Sequence, residues 1–255
     1  MRRLPAFAFS ALMLLARAQA DQAETLAQEA DKRLHGFGDA TAALRMTLVS
    51  PSGQTAERAL HVQNLELGAE GDRSLMVFDT PRDVAGTALL THTKPGADDL
   101  QWLYLPAISR VKQIAAGNKS GPFMGSEFAF EDIVTPYWQK YGYRFVRDEK
   151  CEALTCAVIE RTPKDPASGY TRQLVWIDRQ DYLIRRIDYY DRKNELLKTY
   201  TATGFQKISG NWRPSSMLMV NQQNRKQTRL DWSDYRFKTG LGKDDFTENA
   251  LKRAR

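Results

Sequence analysis

The sequence predicts a mainly β chain, a strongly curved antiparallel sheet or open barrel with one helix in front of it. Three observations predict it. Apolar and polar side chains alternate with period two through a long series of short runs. Gly, Pro, Asn and Asp separate those runs, as they do in tight turns between antiparallel neighbours. A helical apolar stripe stands near the start, before the alternation begins. So many strands suit a curved sheet better than a flat one. The alternation is only half apolar, which implies one covered sheet face and one solvated face.

Residues 1–20 read as an export signal. Arg2 and Arg3 open it, "LPAFAFSALMLLA" is an apolar run too short to span a bilayer comfortably, and Ala18-Gln19-Ala20 supplies a cleavage site. Arg17 is a less usual neighbour for such a site. No Cys follows the run, which argues against a lipoprotein anchor. Cleavage after Ala20 leaves residues 21–255 as one exported domain, long enough for a sizeable core. The lost segment carries three arginines and no acid, so the formal charge falls from +6 to +3. Mild basicity with both signs interspersed is no footprint for nucleic acid.

"QAETLAQEADKRLH", residues 22–35, places Leu26, Ala30 and Leu34 on one helical stripe that Gly36 ends. Strand-like alternation starts with Leu44, Met46 and Leu48. It continues through "SLMVFD", "GTALLTHT", "LQWLYLP" and "RVKQIA". An aromatic segment around 121–133 interrupts the strands, which resume at "YRFVRD" and run through "CAVIERT", "RQLVWID", "LIRRIDYYD", "LKTYTATGF", "SSMLMVN" and "TRLDWSDYRF". The end, "DDFTENALKRAR", reads as a short polar helix or tail. Cys151 and Cys156 are the only cysteines. Their spacing suits neither a CxxC redox site nor a zinc site, and in an oxidising compartment they predict a disulfide across a hairpin end.

Catalytic chemistry finds little support. His35, His61 and His92 lie in different elements, and none stands at metal-ligand spacing from another ligand type. His35 reads as a cover for the helix end, and the other two as structural strand residues. Ser126 lacks the G-x-S-x-G context of a nucleophile elbow and reads as the N-cap of a short helix. The glycines at 117, 121 and 125 form no phosphate loop. The expectation is therefore a non-enzyme without cofactor or metal. The many Tyr and Trp residues on the strands admit two readings, an ordinary β core or the lining of a cleft for an apolar ligand.

"WLYLPAISRVKQIAAGNKSGPFMGSEFAFEDI", residues 102–133, resembles the signature of the LolA-like outer-membrane lipoprotein-sorting proteins. An aromatic strand ending in L-P (Trp102, Tyr104, Leu105, Pro106) precedes an Arg-containing strand (Arg110). A loop with F-M-G-S-[DE]-F and E-D follows, here Phe123, Met124, Gly125, Ser126, Glu127, Phe128, Glu131 and Asp132. "DVAGTALL" and "WIDRQDYLIRRIDYYD" also match family patterns, so the resemblance covers the whole chain after the signal.

The resemblance implies an open, strongly curved antiparallel half-barrel whose helices and loops cover a hydrophobic cavity. It implies a periplasmic carrier of lipid or acylated lipoprotein, working to or from the outer membrane. This branch is often encoded beside RND-type exporters, which makes such an inner-membrane exporter a possible partner and a non-carrier accessory role the alternative. The chain departs from the classical carrier in length and in its central insertion, so the cargo does not transfer. In this reading Trp102, Tyr104, Phe123, Met124, Phe128 and Phe130 are candidates for lining the cavity or forming its lid. Leu105, Pro106, Arg110, Gly125, Ser126 and Asp132 hold the motif in shape, with Arg110 and Asp132 as an ion pair. Either the 121–133 segment is a cover that closes over an apolar cavity, or it is a static plug that completes the core.

Overall fold

The computed structural model describes residues 6–254. The basic start of the expected export signal, residues 1–5, lies outside them. Helix α1 (Ala6–Leu34) contains the predicted helix as its second half. Its buried stripe is Ala23, Leu26, Ala27 and Ala30, with His35 Nδ1 2.8 Å from the Asp31 carbonyl at the helix end.

Six strands follow as a meander: β1 (Asp39–Val49), β2 (Thr55–Glu66), β3 (Asp72–Thr80), β4 (Ala88–Lys94), β5 (Ala97–Leu105) and β6 (Arg110–Gln113). A second meander comprises β7 (Tyr141–Cys151), β8 (Leu154–Pro163), β9 (Arg172–Asp178), β10 (Ile184–Tyr190), β11 (Leu196–Ile208), β12 (Asn211–Asn221) and β13 (Gln227–Phe237). The two meanders are wings of one 13-stranded sheet, in the order β6-β5-β4-β3-β2-β1-β13-β12-β11-β10-β9-β8-β7. All pairings are antiparallel, and β1 against β13 is the seam between the wings. Strands β6 and β7 are the two ends of this open sheet.

Alternation sorts the side chains onto two faces. The concave face carries Leu44, Met46, Leu60, Val62, Met76 and Leu89 from the first wing, and Ile159, Val175, Ile187, Tyr189, Met219 and Leu230 from the second. Helix α1, Phe123 and Phe128 pack into the same cluster. The convex face is not simply solvated. Leu65, Leu75, Val77, Ala88 and Leu90 form a second cluster there with Phe246 and Leu251. The end of the chain, expected as a polar helix or tail, is thus a cover. Its helix α2 (Glu248–Arg253) is capped by Thr247, whose hydroxyl accepts from Ala250 N–H at 3.1 Å, and Leu251 is fully buried.

Cys151 and Cys156 form a disulfide across the end of the β7–β8 hairpin, with Cα atoms 5.8 Å apart. His61 sits 2.8 Å from Asp79 and His92 Nε2 2.7 Å from the Phe246 carbonyl, so both serve local structure.

Candidate functional site

Topology dictates what residues 114–140 must do. They join β6 to β7, the opposite ends of an open sheet, so this crossover has to pass over the concave side. It does so in short turns, Phe123–Gly125, Phe130–Asp132 and Trp138–Lys140, with Met124 (φ 49°) and Gly125 (φ 75°) left-handed at the first.

Both wings hold it down. From the first wing, Arg58 donates to the Met124 carbonyl at 2.5 Å and Gln101 Nε2 to the Phe130 carbonyl at 3.0 Å. From the second, the Thr228 hydroxyl accepts from Glu127 N–H (2.9 Å) and Asn221 donates to the Glu127 carboxylate (2.7 Å). Lys198 donates to Asp132 at 2.6 Å and to the Glu127 carbonyl at 2.9 Å. The Tyr170 hydroxyl donates to Asp132 at 3.0 Å, and Ala129 N–H at 2.6 Å. Lys198 and Asp132 are almost fully buried, at 5% and 3% side-chain exposure. Such a pair is hard to open, because either ion left alone loses water without gaining a partner. Asp132 therefore pairs with Lys198, not with Arg110, which is exposed on the edge strand β6. Sequence proximity within the motif misplaced that partner. Ser126 is no helix cap either: it is buried, and its hydroxyl accepts from Phe128 N–H at 3.3 Å.

The crossover divides the concave face. Phe123 is completely buried, its ring 5.8 Å from Phe78 and 5.5 Å from Phe130, and this end is packed solid. Beyond Phe128 lies a cavity of about 310 Å³, at the lower end of the range for small-molecule sites. Val62 and Met76 line it from the first wing, and Ile187, Tyr200, Met217 and Leu230 from the second. Phe128 and residues 133–136 roof it, with Ala30 and Leu34 of α1 alongside. Phe37, Phe205, Trp212 and Tyr235 also line it, towards the β11–β12 turn.

Among the lid candidates, Phe128 thus reaches the cavity, while Phe123, Met124 and Phe130 support the packed end. Trp102 and Tyr104 do neither. Register places them opposite Leu90 and Ala88 on the convex face, where they pack beside the C-terminal cover. Alternation could show that they share a face, but not which face. Leu105 and Pro106 lead into the β5–β6 turn.

A second set of groups joins the covers. His35 at the end of α1 sits 3.4 Å from Asp31 and 3.3 Å from Asp72 at the start of β3, and its ring stacks on Tyr137 of the crossover at 5.1 Å. Burial alone would push the imidazole pKa down, but Asp72 and Asp31 outweigh it and hold the value up at about 9. Burial raises the carboxyl pKa of Glu131, against the hydrogen bonds it accepts from Ser168 (2.7 Å) and Gly169 N–H (2.9 Å). Among the described residues no cluster of His, Cys, Asp and Glu is arranged for a metal ion, and no helix is long and apolar enough to cross a membrane.

Comparison with known proteins agrees with this architecture. A family model described as "Uncharacterized protein" matches residues 70–253. The chain is 44% identical to an "outer membrane lipoprotein-sorting protein domain" from Vibrio parahaemolyticus, covering 92% of this chain and 100% of that one with a TM-score of 0.89. It is 31% identical to a DUF1329 family protein from Desulfovibrio piger (91% and 99% covered, TM-score 0.87). A LolA superfamily protein from Nitrosomonas europaea, 21% identical, shares the fold (89% and 98% covered, TM-score 0.73). No curated protein matches the chain.

Proposed function

The chain belongs to the DUF1329 family of outer membrane lipoprotein-sorting-like half-barrels, and from that premise we propose that it is a periplasmic carrier holding a lipid or lipoprotein acyl chain in its cavity. One observation carries the reading: a largely apolar space of about 310 Å³ remains between the wings after α1 and the crossover have docked. Burial of each CH₂ contributes about 0.8 kcal/mol, so even part of an acyl chain gives useful and reversible affinity. Removal of residues 1–20 as an export signal fits the same scheme. Among the residues of α1 whose burial is described, from Arg17 on, the first buried one is Ala23, so a mature chain starting at Asp21 keeps Ala23, Leu26, Ala27 and Ala30.

An accessory protein that works on an RND-type exporter through surface contacts alone has no need of such a space. Ser126, the serine of the crossover motif, is committed to its own turn and does not line the cavity.

Mass spectrometry of lipids that co-purify with the protein from its native periplasm tests the reading, with an acyl-containing species expected in near-stoichiometric amount. Phe128→Asp places a carboxylate in the roof and should weaken binding of a fluorescent apolar probe about tenfold or more, the cost of a charge facing hydrocarbon. Native circular dichroism with unchanged probe affinity in that variant would take the roof out of the mechanism.

A further inference from the structure

One row of the concave face is polar where its neighbours are apolar. Cross-strand register runs Arg161 to Gln173, Gln173 to Tyr189, Tyr189 to Lys198 and Lys198 to Asn221. Lys198 and Asn221 are used in anchoring the crossover. Arg161, Gln173 and Tyr189 are not, and all three line the cavity.

Their donors are underused for groups so deeply placed. Arg161 is 8% exposed, Gln173 3% and Tyr189 5%. Arg161 Nε donates to Gln173 Oε1 at 2.6 Å, and its guanidinium lies 4.5 Å from the Tyr141 ring centroid. Among the described residues its two terminal nitrogens find no acceptor, and no carboxylate lies within ion-pair distance. An arginine offers only donors, so the Gln173 oxygen must be the amide atom facing it, which leaves the Gln173 NH₂ without an acceptor. The Tyr189 hydroxyl also has no partner among the described residues, and burial keeps it in the protonated, donating form. None of these free donors is among the atoms sealed from solvent without a partner, so they face the space of the cavity, open to a ligand.

The acids nearby do not serve Arg161. Asp132 is paired with Lys198 and accepts from the Tyr170 hydroxyl, and Glu131 is held by Ser168 and Gly169 N–H. Arg213 also lines the cavity without a carboxylate. It is only partly buried, between Phe37 and Phe237, and its guanidinium reaches the Trp212 and Leu34 carbonyls.

We propose that Arg161, Gln173 and Tyr189 form the anion subsite of this cavity, and that its ligand is an acidic amphiphile bound by its carboxylate or phosphate to Arg161. Same-face neighbours on adjacent strands stand about 5 Å apart, close enough for three donors to converge on one oxyanion. A planar guanidinium takes a carboxylate or phosphate through paired hydrogen bonds. The apolar part of the ligand then lies along Ile187, Tyr200, Met217 and Leu230. The inference rests on the carrier reading and narrows it from any apolar chain to an anionic one.

The test is displacement of N-phenyl-1-naphthylamine, a neutral apolar probe, from the mature protein. Hexadecanoic acid, hexadecyl phosphate, hexadecanol and methyl hexadecanoate are compared as competitors. The acidic compounds should bind about tenfold tighter or more than the alcohol and ester, as charge-assisted hydrogen bonds in a buried site allow. The order of acid and phosphate identifies which anion the site takes. Arg161→Met should abolish the preference by weakening the acidic ligands alone, and Arg161→Lys should restore part of it. Equal affinity for acid and alcohol in the wild-type protein overturns the anion subsite while leaving the carrier reading intact, and this comparison needs no variant to fold. A protein that binds neither probe nor amphiphile removes both.

Discussion

On the convex face Leu75, Val77 and Leu90 are sealed by Phe246 and Leu251, whereas on the concave face Val62, Met76 and Leu230 border open space. The same alternating strands supply both sets of residues. What differs is the cover. The convex cover is a turn and the short helix α2, whose fully buried Phe246 and Leu251, one from each, fill the surface they meet. The concave cover is a crossover of turns, tied down chiefly by polar contacts at chosen points, together with a helix whose buried stripe is mostly alanine. A face packed by side chains is finished, while a face bridged by anchored backbone keeps a void beneath it.

The largest expected effect tests how firmly that bridge is held. Lys198→Met leaves Asp132 buried with no cation and should cost about 3–5 kcal/mol in urea unfolding, whereas Lys198→Met with Asp132→Asn should cost clearly less. Equal losses in the single and double variants would mean that the pair does not anchor the roof.

A smaller effect concerns the place where α1, β3 and the crossover meet. The folded-state pKa of His35, about 9, stands above the ordinary imidazole value of 6.5. The stabilisation this confers is fully present below the unfolded value and is lost as pH rises through the folded one. Between pH 6.5 and 9 the wild type should therefore lose on the order of 2–3 kcal/mol relative to His35→Gln. Parallel stability–pH curves for the two proteins would show that the imidazolium does not hold the covers together.

The gentlest test adds volume to each face. Leu90→Phe on the packed convex face should cost about 1–3 kcal/mol, because an overfilled core has to shift. Leu230→Phe, directed at the void, should change stability by less than about 1 kcal/mol and should displace the probe. Similar penalties at both positions would erase the distinction between filled and open faces.

Much of this was legible in the sequence, for reasons that also mark its limits. Period-two alternation found most of the strands between Leu44 and Phe237, but β2, with its polar opening at Thr55, was not among the runs and was touched only by the placing of His61 on a strand. The spacing of Leu26, Ala30 and Leu34 found part of the stripe of α1, since Leu26 and Ala30 are buried and Leu34 half-buried, but it missed the buried Ala23 and Ala27. The Phe-Met-Gly segment was recognisable as a motif, yet its partner Lys198 could not be found, because the pair joins residues 66 apart in sequence. Trp102 and Tyr104 belong to an alternation that is symmetric under exchange of faces, so only the packed structure assigns them to the convex side. Phe246 and Leu251 looked like isolated apolar residues in a polar tail, since a helix of fewer than two turns shows no periodicity. Arg161, in "VIERT", reads as one more outward charge on a strand, and only the register with Gln173 and Tyr189 turns it inward.

The seam between β1 and β13 has a kinetic consequence. Every other ladder in the sheet is a hairpin that can zip as soon as its two strands exist, but Ala40 pairs with Phe237 and Val49 with Gln227. Contacts so far apart in the chain are slow to form, because a long loop must close before any of them contributes. Each wing can build itself from its own hairpins before the other is complete. The cavity, whose walls come from both wings, comes into being only when the last strand joins the first.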